Sequence, residues 1–334
     1  METRKVQFTG NSTFTVSLPR DWIEKMGIRR GDVIGLVRDS RGTITITPSI
    51  DPRKDYRTKT ISLQRESPTH LERMLIGTYV MGFDTIVVRA KDRIDNAVKE
   101  KVRQFTRSVT GVEIVEETIN TITIKDLSDP MELSQEKGVR RLHLIVRSMA
   151  VDAIEALRNA DQSLAVDVIN RDSDADRIYW LIMKEHNMMT RDLRLAERLK
   201  MTIEESNSYF QIARYLERIG DHAVQIAKSV IAMSDYSIPS ELIELFSSAH
   251  EHALKMLDGS ISAYFKSSAE DANNVIDKRD GLKTVLREIS MKIQNIKAEE
   301  AVQLALIEES VRRIAYYATD ISEVTINYCM LVEK

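Results

Sequence analysis

The chain of 334 residues has almost no cysteine, and Cys329 is the single one. An intramolecular disulfide and a cysteine-based zinc centre are therefore excluded. No Gly-Lys-Ser/Thr occurs and no G-x-G-x-x-G follows a strand, so the sequence has neither a P-loop nor a dinucleotide-binding fingerprint. None of the six histidines has a glutamate three residues before it, which excludes the Glu-x-x-His pattern of di-iron oxidase bundles.

Long apolar runs are missing too. The N-terminal residues METRKVQFTGNS lack the apolar core of a signal peptide, and no run approaches the length needed to span a bilayer. With 43% hydrophobic and 30% charged residues, the composition is typical of a globular protein. We expect a cytoplasmic protein.

The charge is small but unevenly distributed. The net charge is −3, yet residues 1–60 carry 12 Lys/Arg against 7 Asp/Glu, so the remaining residues sum to −8. A basic N-terminal segment on an otherwise acidic chain permits contact between that segment and nucleic acid. A surplus of this size is also typical of an ordinary solvated surface, so the charge alone decides nothing.

The first 50 residues show the alternation of short strands. KVQFT, TFTVSL, VIGLV and TITIT predict four strands, with the turn DSRG before the last and one helix, PRDWIEKMG, in the middle. Pro19 suits the first position of that helix and Gly27 its C-terminal cap. We predict a small β-rich domain over residues 1–50, followed by the charged linker DPRKDYR.

Residues 58–130 alternate between strand and helix patterns. TISL, DTIVVRA, VEIVEET and TITIKDL predict strands, and SPTHLERMLIGTYVMG and residues 93–110 predict helices, with Asp92 to Asp95 marking the second helix start. This pattern predicts a small α+β domain.

From residue 134 onward the helical period dominates, and the pattern repeats. SMAVDAIEAL at 148–157 matches KMLDGSISAY at 255–264 with an offset of 107 residues, and RIGDHAVQIA at 218–227 matches RIAYYATDIS at 313–322 with an offset of 95. The first copy therefore has 12 extra residues between its second and third helices. We predict two tandem three-helix repeats, 134–233 and 238–334, and hence a multidomain α+β protein ending in an all-α bundle.

Two aspartates interrupt the apolar side of a predicted helix. On a helical wheel of AVDVINRDSDADRIYWLIM, Asp172 and Asp176 fall within an arc of apolar residues (Ala165, Val168, Ile169, Ala175, Tyr179, Ile182, Met183). A buried ionised carboxylate costs several kcal/mol unless it is paired, hydrogen-bonded or bound to a metal. These two acids are the strongest anomaly in the sequence.

A second acid pair lies on the third helix of the same repeat. Glu217 and Asp221 are four residues apart and flank its apolar stripe (Leu216, Ile219, Ala223, Ile226, Ala227, Val230). Adjacent antiparallel helices bring all four acids together, and four oxygen ligands suit a hard or borderline cation. The alternative is that an inward arginine, Arg191, Arg194 or Arg218, neutralises them.

The C-terminal 200 residues resemble PhoU, the phosphate-uptake regulator family. The resemblance is carried by LERIGDHA at 216–223, DSDAD at 172–176, RDLRL at 191–195 and the repeated three-helix unit. It implies a multinuclear site for a divalent or trivalent metal ion, iron or zinc, held by Asp172, Asp176, Glu217 and Asp221. It also implies a regulator that works with the phosphate ABC transporter and its signalling proteins.

The second repeat departs from this family pattern. The positions of the four acids are taken by Arg279, Lys283, Arg312 and Tyr316. These side chains do not make a cation site. We therefore predict one metal site at most, in the first repeat.

The N-terminal segment TFTVSLPRDWIEKMGIRRGDVIGLVRDSRGTITITP resembles the AbrB/SpoVT swapped-hairpin family. The resemblance implies a homodimer formed by interlocked strands, in which arginines face DNA. Where DNA-binding relatives carry those arginines, this chain has Thr15, Ile23 and Glu24. The remaining candidates for contacts with DNA phosphates are Arg4, Lys5, Arg20, Arg29 and Arg30.

The leading hypothesis is a non-enzymatic cytoplasmic regulator of phosphate uptake, dimeric through its hairpin domain. The alternative is a DNA-binding transcriptional regulator that uses the helical bundle as its effector domain. An enzymatic role for the carboxylates is disfavoured, because the sequence offers no candidate general base or nucleophile other than the acids themselves.

Overall fold

The structure is a computed structural model, and it describes residues 2–10, 12–38, 42–48, 56–63, 68–132, 134–233 and 236–331. By its internal contacts the chain divides into two compact units, residues 1–56 and 57–334. The predicted middle and helical domains thus lie in one unit. The three-part division into 1–50, 58–130 and 134–334 stays a prediction.

The first unit contains two antiparallel hairpins around a short helix. β1 (Gln7–Thr9) pairs with β2 (Thr13–Thr15), α1 (Arg20–Met26) follows, and β3 (Gly35–Arg38) pairs with β4 (Ile44–Thr47). Gly27 caps α1 as predicted, with the positive φ of 66° that glycine tolerates. Pro19 lies one residue earlier than predicted, at the N-cap. The turn at 39–42 and the linker at 51–57 lie mostly outside the described residues.

The second unit begins with a four-stranded sheet covered by two helices. The elements are β5 (Thr58–Ser62), α2 (Pro68–Val80), β6 (Thr85–Arg89), α3 (Asn96–Ser108), β7 (Val112–Glu117) and β8 (Thr121–Asp126). The strand order is β5-β6-β8-β7, with β5 parallel to β6 and the other pairs antiparallel. Asp95 caps α3 by accepting a hydrogen bond from the backbone of Val98 (2.9 Å), which confirms the predicted helix start.

The rest of the unit is helical, and the predicted fold class is confirmed. The first repeat contains α4 (Gln135–Asn159), α5 (Gln162–Met189), α6 (Leu193–Leu199) and α7 (Ile203–Ala232). The second contains α8 (Ser240–Lys266), α9 (Ala269–Asp277), α10 (Arg279–Ile293) and α11 (Ala298–Leu331). The extra residues of the first repeat include α6. Within the described ranges no helix is long and apolar enough to cross a membrane.

The predicted apolar stripes form the core. α7 packs against α4, α5 and α11, so it contacts both repeats. All six residues of its predicted stripe are buried, and the α5 arc is buried or partly buried. One continuous hydrophobic cluster runs through both repeats. This packing fixes which side of α5 faces α7.

A buried ion pair joins the sheet to the helical bundle. Lys184 of α5 is 1% exposed, and its Nζ lies 2.6 Å from Oδ2 of Asp126 at the end of β8. The same ammonium donates to Ser128 Oγ (2.8 Å) and lies 4.6 Å from the centre of the Tyr79 ring. Because each partner is nearly removed from water, the pair tolerates the loss of neither member.

Lys184→Ala should lower the free energy of unfolding by about 3–5 kcal/mol, because Asp126 is left as an uncompensated buried charge. The measurement is chemical denaturation followed by circular dichroism. The double variant Lys184→Met, Asp126→Asn should recover much of the loss, since it leaves no unpaired charge. Lys255→Ala, which removes an exposed pair with Glu251, is the control and should change little. Equal stability of Lys184→Ala and the wild type would contradict the assignment.

Candidate carboxylate site

The packing of α5 against α7 places the four predicted acids in one neighbourhood. Asp172 and Asp176 are separated by one turn of α5, and Glu217 and Asp221 by one turn of α7. All four residues are partly buried. Their backbone positions are set by the apolar stripes beside them, so the acids cannot move apart without disturbing the core.

The electrostatics show that the four carboxylates act on one another. Burial, reinforced by the charges of Asp172 and Asp221, raises the pKa of Asp176 to about 7. Burial and the charge of Asp221, opposed by Arg218, raise the pKa of Glu217 to about 7. Burial and Asp221 also raise the pKa of Asp172. The sequence prediction that two helices bring these acids together is therefore consistent with the geometry.

Neutralisation by arginine is partial. Arg218 Nη1 lies 3.2 Å from Asp221 Oδ2, and its Nε lies 3.5 Å from Glu217 Oε2. The second contact is an ion pair without hydrogen-bond geometry, because Glu217 Oε2 is buried and accepts no hydrogen bond. Within the described ranges, Asp172 and Asp176 make no ion pair or hydrogen bond, although Lys228 lowers the pKa of Asp172.

The other two arginines considered from the sequence have different contacts. Arg191 Nε donates to the carbonyl oxygen of Asn187 (2.8 Å), and Arg194 Nε lies 2.8 Å from Asp192 Oδ1. Of the three arginines, Arg218 alone opposes the raised pKa of Glu217, and none of the three acts on the pKa of Asp172 or Asp176. The guanidinium alternative thus applies to the α7 pair and leaves the α5 pair uncompensated.

The donor set fits a metal ion in chemistry but is not arranged around one. In the described part of the chain, no three His, Cys, Asp or Glu side chains meet the geometry of a metal site. Four carboxylates, one with an orphaned buried oxygen, nevertheless provide the oxygen ligands that a hard or borderline cation takes. Binding therefore requires side-chain rotation, and the predicted ligand set stays a prediction.

Three of the four corresponding positions of the second repeat carry cations, and the fourth is Tyr316. Arg279 lies over the ring of Tyr316, 5.8 Å from its centre, and Lys283 pairs with Asp280 (2.7 Å). Arg312 contacts Glu308 and Glu309. The contact of the Arg279 guanidinium with the Tyr316 ring stabilises the packing of these two side chains, and the positive charge of Arg279 repels any bound cation.

His222 follows Asp221 on α7 and contacts α11. The ring is half-buried: Nδ1 lies 3.3 Å from Ser310 Oγ, and the ring lies tilted against Tyr317, with 5.9 Å between ring centres. Burial lowers the pKa of His222. A helical wheel of α7 does not show this contact, because it depends on the packing of α11 against α7.

The candidate phosphate-contacting residues of the first unit are not equally available. Arg4 contacts Glu2, and Arg20 Nε lies 2.8 Å from Glu24 Oε1. The side chains of Lys5, Arg29 and Arg30 are exposed. Their contact with DNA stays a prediction.

Comparison with known families gives two matches. Residues 139–230 and 246–325 match the PhoU domain family, one segment in each helical repeat. Residues 7–54 match the family described as antidote-toxin recognition MazE, bacterial antitoxin. The matches confirm both resemblances seen in the sequence.

Curated relatives and solved structures match the helical part. A phosphate-specific transport system accessory protein PhoU homolog from Rhizobium meliloti is 28% identical over 195 residues, covering 55% of this chain and 78% of the relative. A protein of the same description from Clostridium acetobutylicum is 24% identical, covering 60% and 91%. The crystal structure of the phosphate transport system regulatory protein PhoU from Streptococcus pneumoniae has a TM-score of 0.51 at 22% identity, covering 60% of this chain and 96% of that one. At that identity the likeness shows the fold alone.

Asp176→Asn should change the pH dependence of stability in metal-free protein. The wild-type pKa is raised from 3.8 to about 7 in the folded state, so the folded chain binds more protons between these values. The free energy of unfolding of the wild type should therefore fall as the pH rises through about 4 to 7. The neutral amide has no such loss, so Asp176→Asn should match the wild type near pH 4 and exceed it near pH 8 by on the order of 1 kcal/mol.

The measurement is denaturant unfolding at several pH values in the presence of a chelator. The matched control is Asp174→Asn, an exposed acid on the same helix whose neighbour is Arg177. The two variants should differ at pH 8. If both follow the wild-type profile, the carboxylates do not interact as described.

Proposed function

Because this chain belongs to the PhoU family, we propose that it is a non-enzymatic regulator of phosphate uptake and phosphate signalling. The observation that carries the proposal is the PhoU match in both helical repeats.

The partners we propose are the phosphate ABC transporter and its signalling proteins. The relatives from Rhizobium meliloti and Clostridium acetobutylicum are described as accessory proteins of a phosphate-specific transport system. A shared helical domain that covers most of each relative supports a similar association here.

We propose a metal site at Asp172, Asp176, Glu217 and Asp221, with iron or zinc as the ion. When bound, the ion would supply the positive charge that the carboxylates lack and would fix α5 against α7. The raised pKa values of Asp176 and Glu217 support this reading, because burial and the neighbouring carboxylates disfavour the negative charge there and a bound cation would offset that cost. Arg218 would lose its contacts with Glu217 and Asp221, because the two carboxylates would bind the ion instead.

We also propose that the first unit forms a homodimer. Among its described residues Val37 alone is buried, while Phe8 is 60% and Phe14 72% exposed. These two rings lie opposite each other on β1 and β2, with centres 5.1 Å apart. A small β unit without a core of its own is unstable in water, and a second copy would bury this apolar surface.

DNA binding by the first unit is the second candidate function. It is favoured by the antitoxin-family match at residues 7–54 and by the exposed Lys5, Arg29 and Arg30. It is weakened by the acids that contact Arg4 and Arg20, since each paired arginine must exchange a carboxylate for a phosphate.

The metal proposal is tested by elemental analysis of purified protein. The double variant Asp172→Asn, Asp221→Asn removes one ligand from each helix and should lose most of the bound metal. The control is Asp280→Asn, which changes an exposed acid of the second repeat and should keep the wild-type metal content. Equal metal content in the wild type and the double variant would disprove the site.

The regulatory proposal is tested by capture of the tagged chain from phosphate-starved and phosphate-replete cells, with and without nuclease. Components of the phosphate transporter should be retained in both nuclease arms, and their amount should depend on phosphate supply. Retention of promoter DNA in place of transporter components, lost on nuclease treatment, would favour the second candidate. Absence of transporter components from every arm would contradict the leading function.

A further inference from the structure

α4 and α8, the first helices of the two repeats, pack against each other along a contact that we call the seam. Charged side chains join the two helices at one end of this seam. Asp258 of α8 contacts two side chains of α4: His143 Nε2 at 3.1 Å and Arg147 Nε at 2.9 Å. The histidine and the arginine lower the pKa of Asp258 against the opposing effect of burial. This cluster of His143, Arg147 and Asp258 joins the repeats across their shared seam.

The internal repeat predicts a reciprocal cluster at the other end of the seam. With the offset of 107 residues, His143 corresponds to His250, Arg147 to Leu254, and Val151 to Asp258. In an arrangement related by a two-fold operation, a contact between i and j is matched by one between their counterparts. The counterpart of the charged cluster is therefore His250 with Leu254 and Val151, in which the arginine and the aspartate are replaced by aliphatic residues.

Those three residues line a groove of about 500 Å³ between α4 and α8. A volume of this size is within the range of small-molecule sites. Ile154 and Ile243 extend its apolar wall. The replacement of an arginine by Leu254 and of an aspartate by Val151 makes this end of the seam apolar.

His250 is a buried polar group in this wall. The residue is 2% exposed, and neither ring nitrogen makes a hydrogen bond of good geometry to any residue that the structure describes, although the Ala150 backbone acts on the ring. Burial lowers the pKa of His250 to about 4, against the opposing effect of the nearby Ala150 carbonyl. The ring is therefore neutral at pH 7 and keeps one nitrogen lone pair able to accept a hydrogen bond. Its counterpart His143 has a partner in Asp258, so the missing partner is specific to this end.

The rim of the groove is acidic. Three glutamates line it, Glu155, Glu244 and Glu251, against one arginine, Arg158. Arg158 already contacts Glu155 at 3.0 Å. Glu251 contacts Lys255 at 2.7 Å, whereas Glu244 has no ion pair with any residue that the structure describes.

We propose that this groove binds an organic cation with a short apolar chain, of the alkyl diamine class. Its methylene chain packs on Val151, Ile154 and Leu254, and its ammonium groups face Glu244 of α8 and Glu155 of α4. A donor N–H also supplies the hydrogen bond that His250 lacks, once the ring turns toward the groove. Occupation would join the two repeats at the end of the seam where Asp258 has no counterpart.

The chemistry disfavours other occupants. An anion in the place of the missing aspartate would lie among three glutamates, and a neutral His250 offers it no positive charge. A bare metal ion would leave the apolar wall of Val151, Ile154 and Leu254 without contacts, whereas an alkyl chain covers it. An apolar molecule would neither pair with the charge of Glu244 nor donate a hydrogen bond to His250.

The test is a titration of the full chain with 1,5-diaminopentane, followed by NMR of labelled isoleucine methyl groups. The signals of Ile154 and Ile243 should shift and saturate with a dissociation constant of about 1 mM or below. Ile219, in the core stripe of α7, should not move. The neutral 1,5-pentanediol and the anion glutarate should each produce no saturable shift.

Glu244→Gln should weaken binding by about threefold to tenfold, because it removes a charge and keeps the shape. Glu244 is exposed, so this variant folds irrespective of the outcome. His250→Phe should also weaken binding, since the ring remains but its nitrogens are lost. Asp280→Asn, which changes an exposed acid outside both sites, is the matched control and should leave the titration unchanged.

No saturable shift at Ile154 and Ile243 would overturn the proposal. Saturation by glutarate or pentanediol at the same concentration would also overturn it, as would an unchanged affinity in Glu244→Gln. These outcomes are independent of the role in phosphate regulation, because the residues of the groove take no part in the carboxylate site.

Discussion

The contact of α5 with α7 forces negative charges together. The apolar stripes of both helices are buried in one core, and they leave the backbone of Asp172, Asp176 and Glu217 no freedom to separate. Core packing of this kind is worth more than the mutual repulsion of a few carboxylates, so the fold retains both. Burial and, after it, the neighbouring carboxylates raise the pKa values of Asp176 and Glu217, so the charge of these two groups responds to a bound cation and to pH.

The two repeats show how one scaffold supports opposite charges. Both keep the apolar residues that define their helices, while the positions that hold acids in the first hold Arg279 and Tyr316 in the second. The seam between α4 and α8 diverges in the same way, with Asp258 at one end and Val151 at the other. Apolar periodicity is constrained by the core, and the polar positions beside it are free to differ.

The sequence predicted most elements because their signals are local. Helical periodicity identified the stripe of α7, and the wheel of α5 identified Asp172 and Asp176 as inward acids. The ion pair between Lys184 and Asp126 was missed because its members are 58 residues apart and no local pattern links them. His250 carried a usable signal in the repeat offset, but its missing partner becomes visible only when the helices are packed.

α5 connects the carboxylate site with the buried ion pair between Lys184 and Asp126. Asp176 and Lys184 lie eight residues apart on it, a separation of about 12 Å along a helix. The middle of this helix therefore faces the acids of α7, and its C-terminal part is held to the sheet through Asp126. A helix is stiff over this length, so its position relative to α7 and its position relative to the sheet are set together. The segment 58–130, whose role the sequence left open, thereby has a physical connection to the carboxylate site.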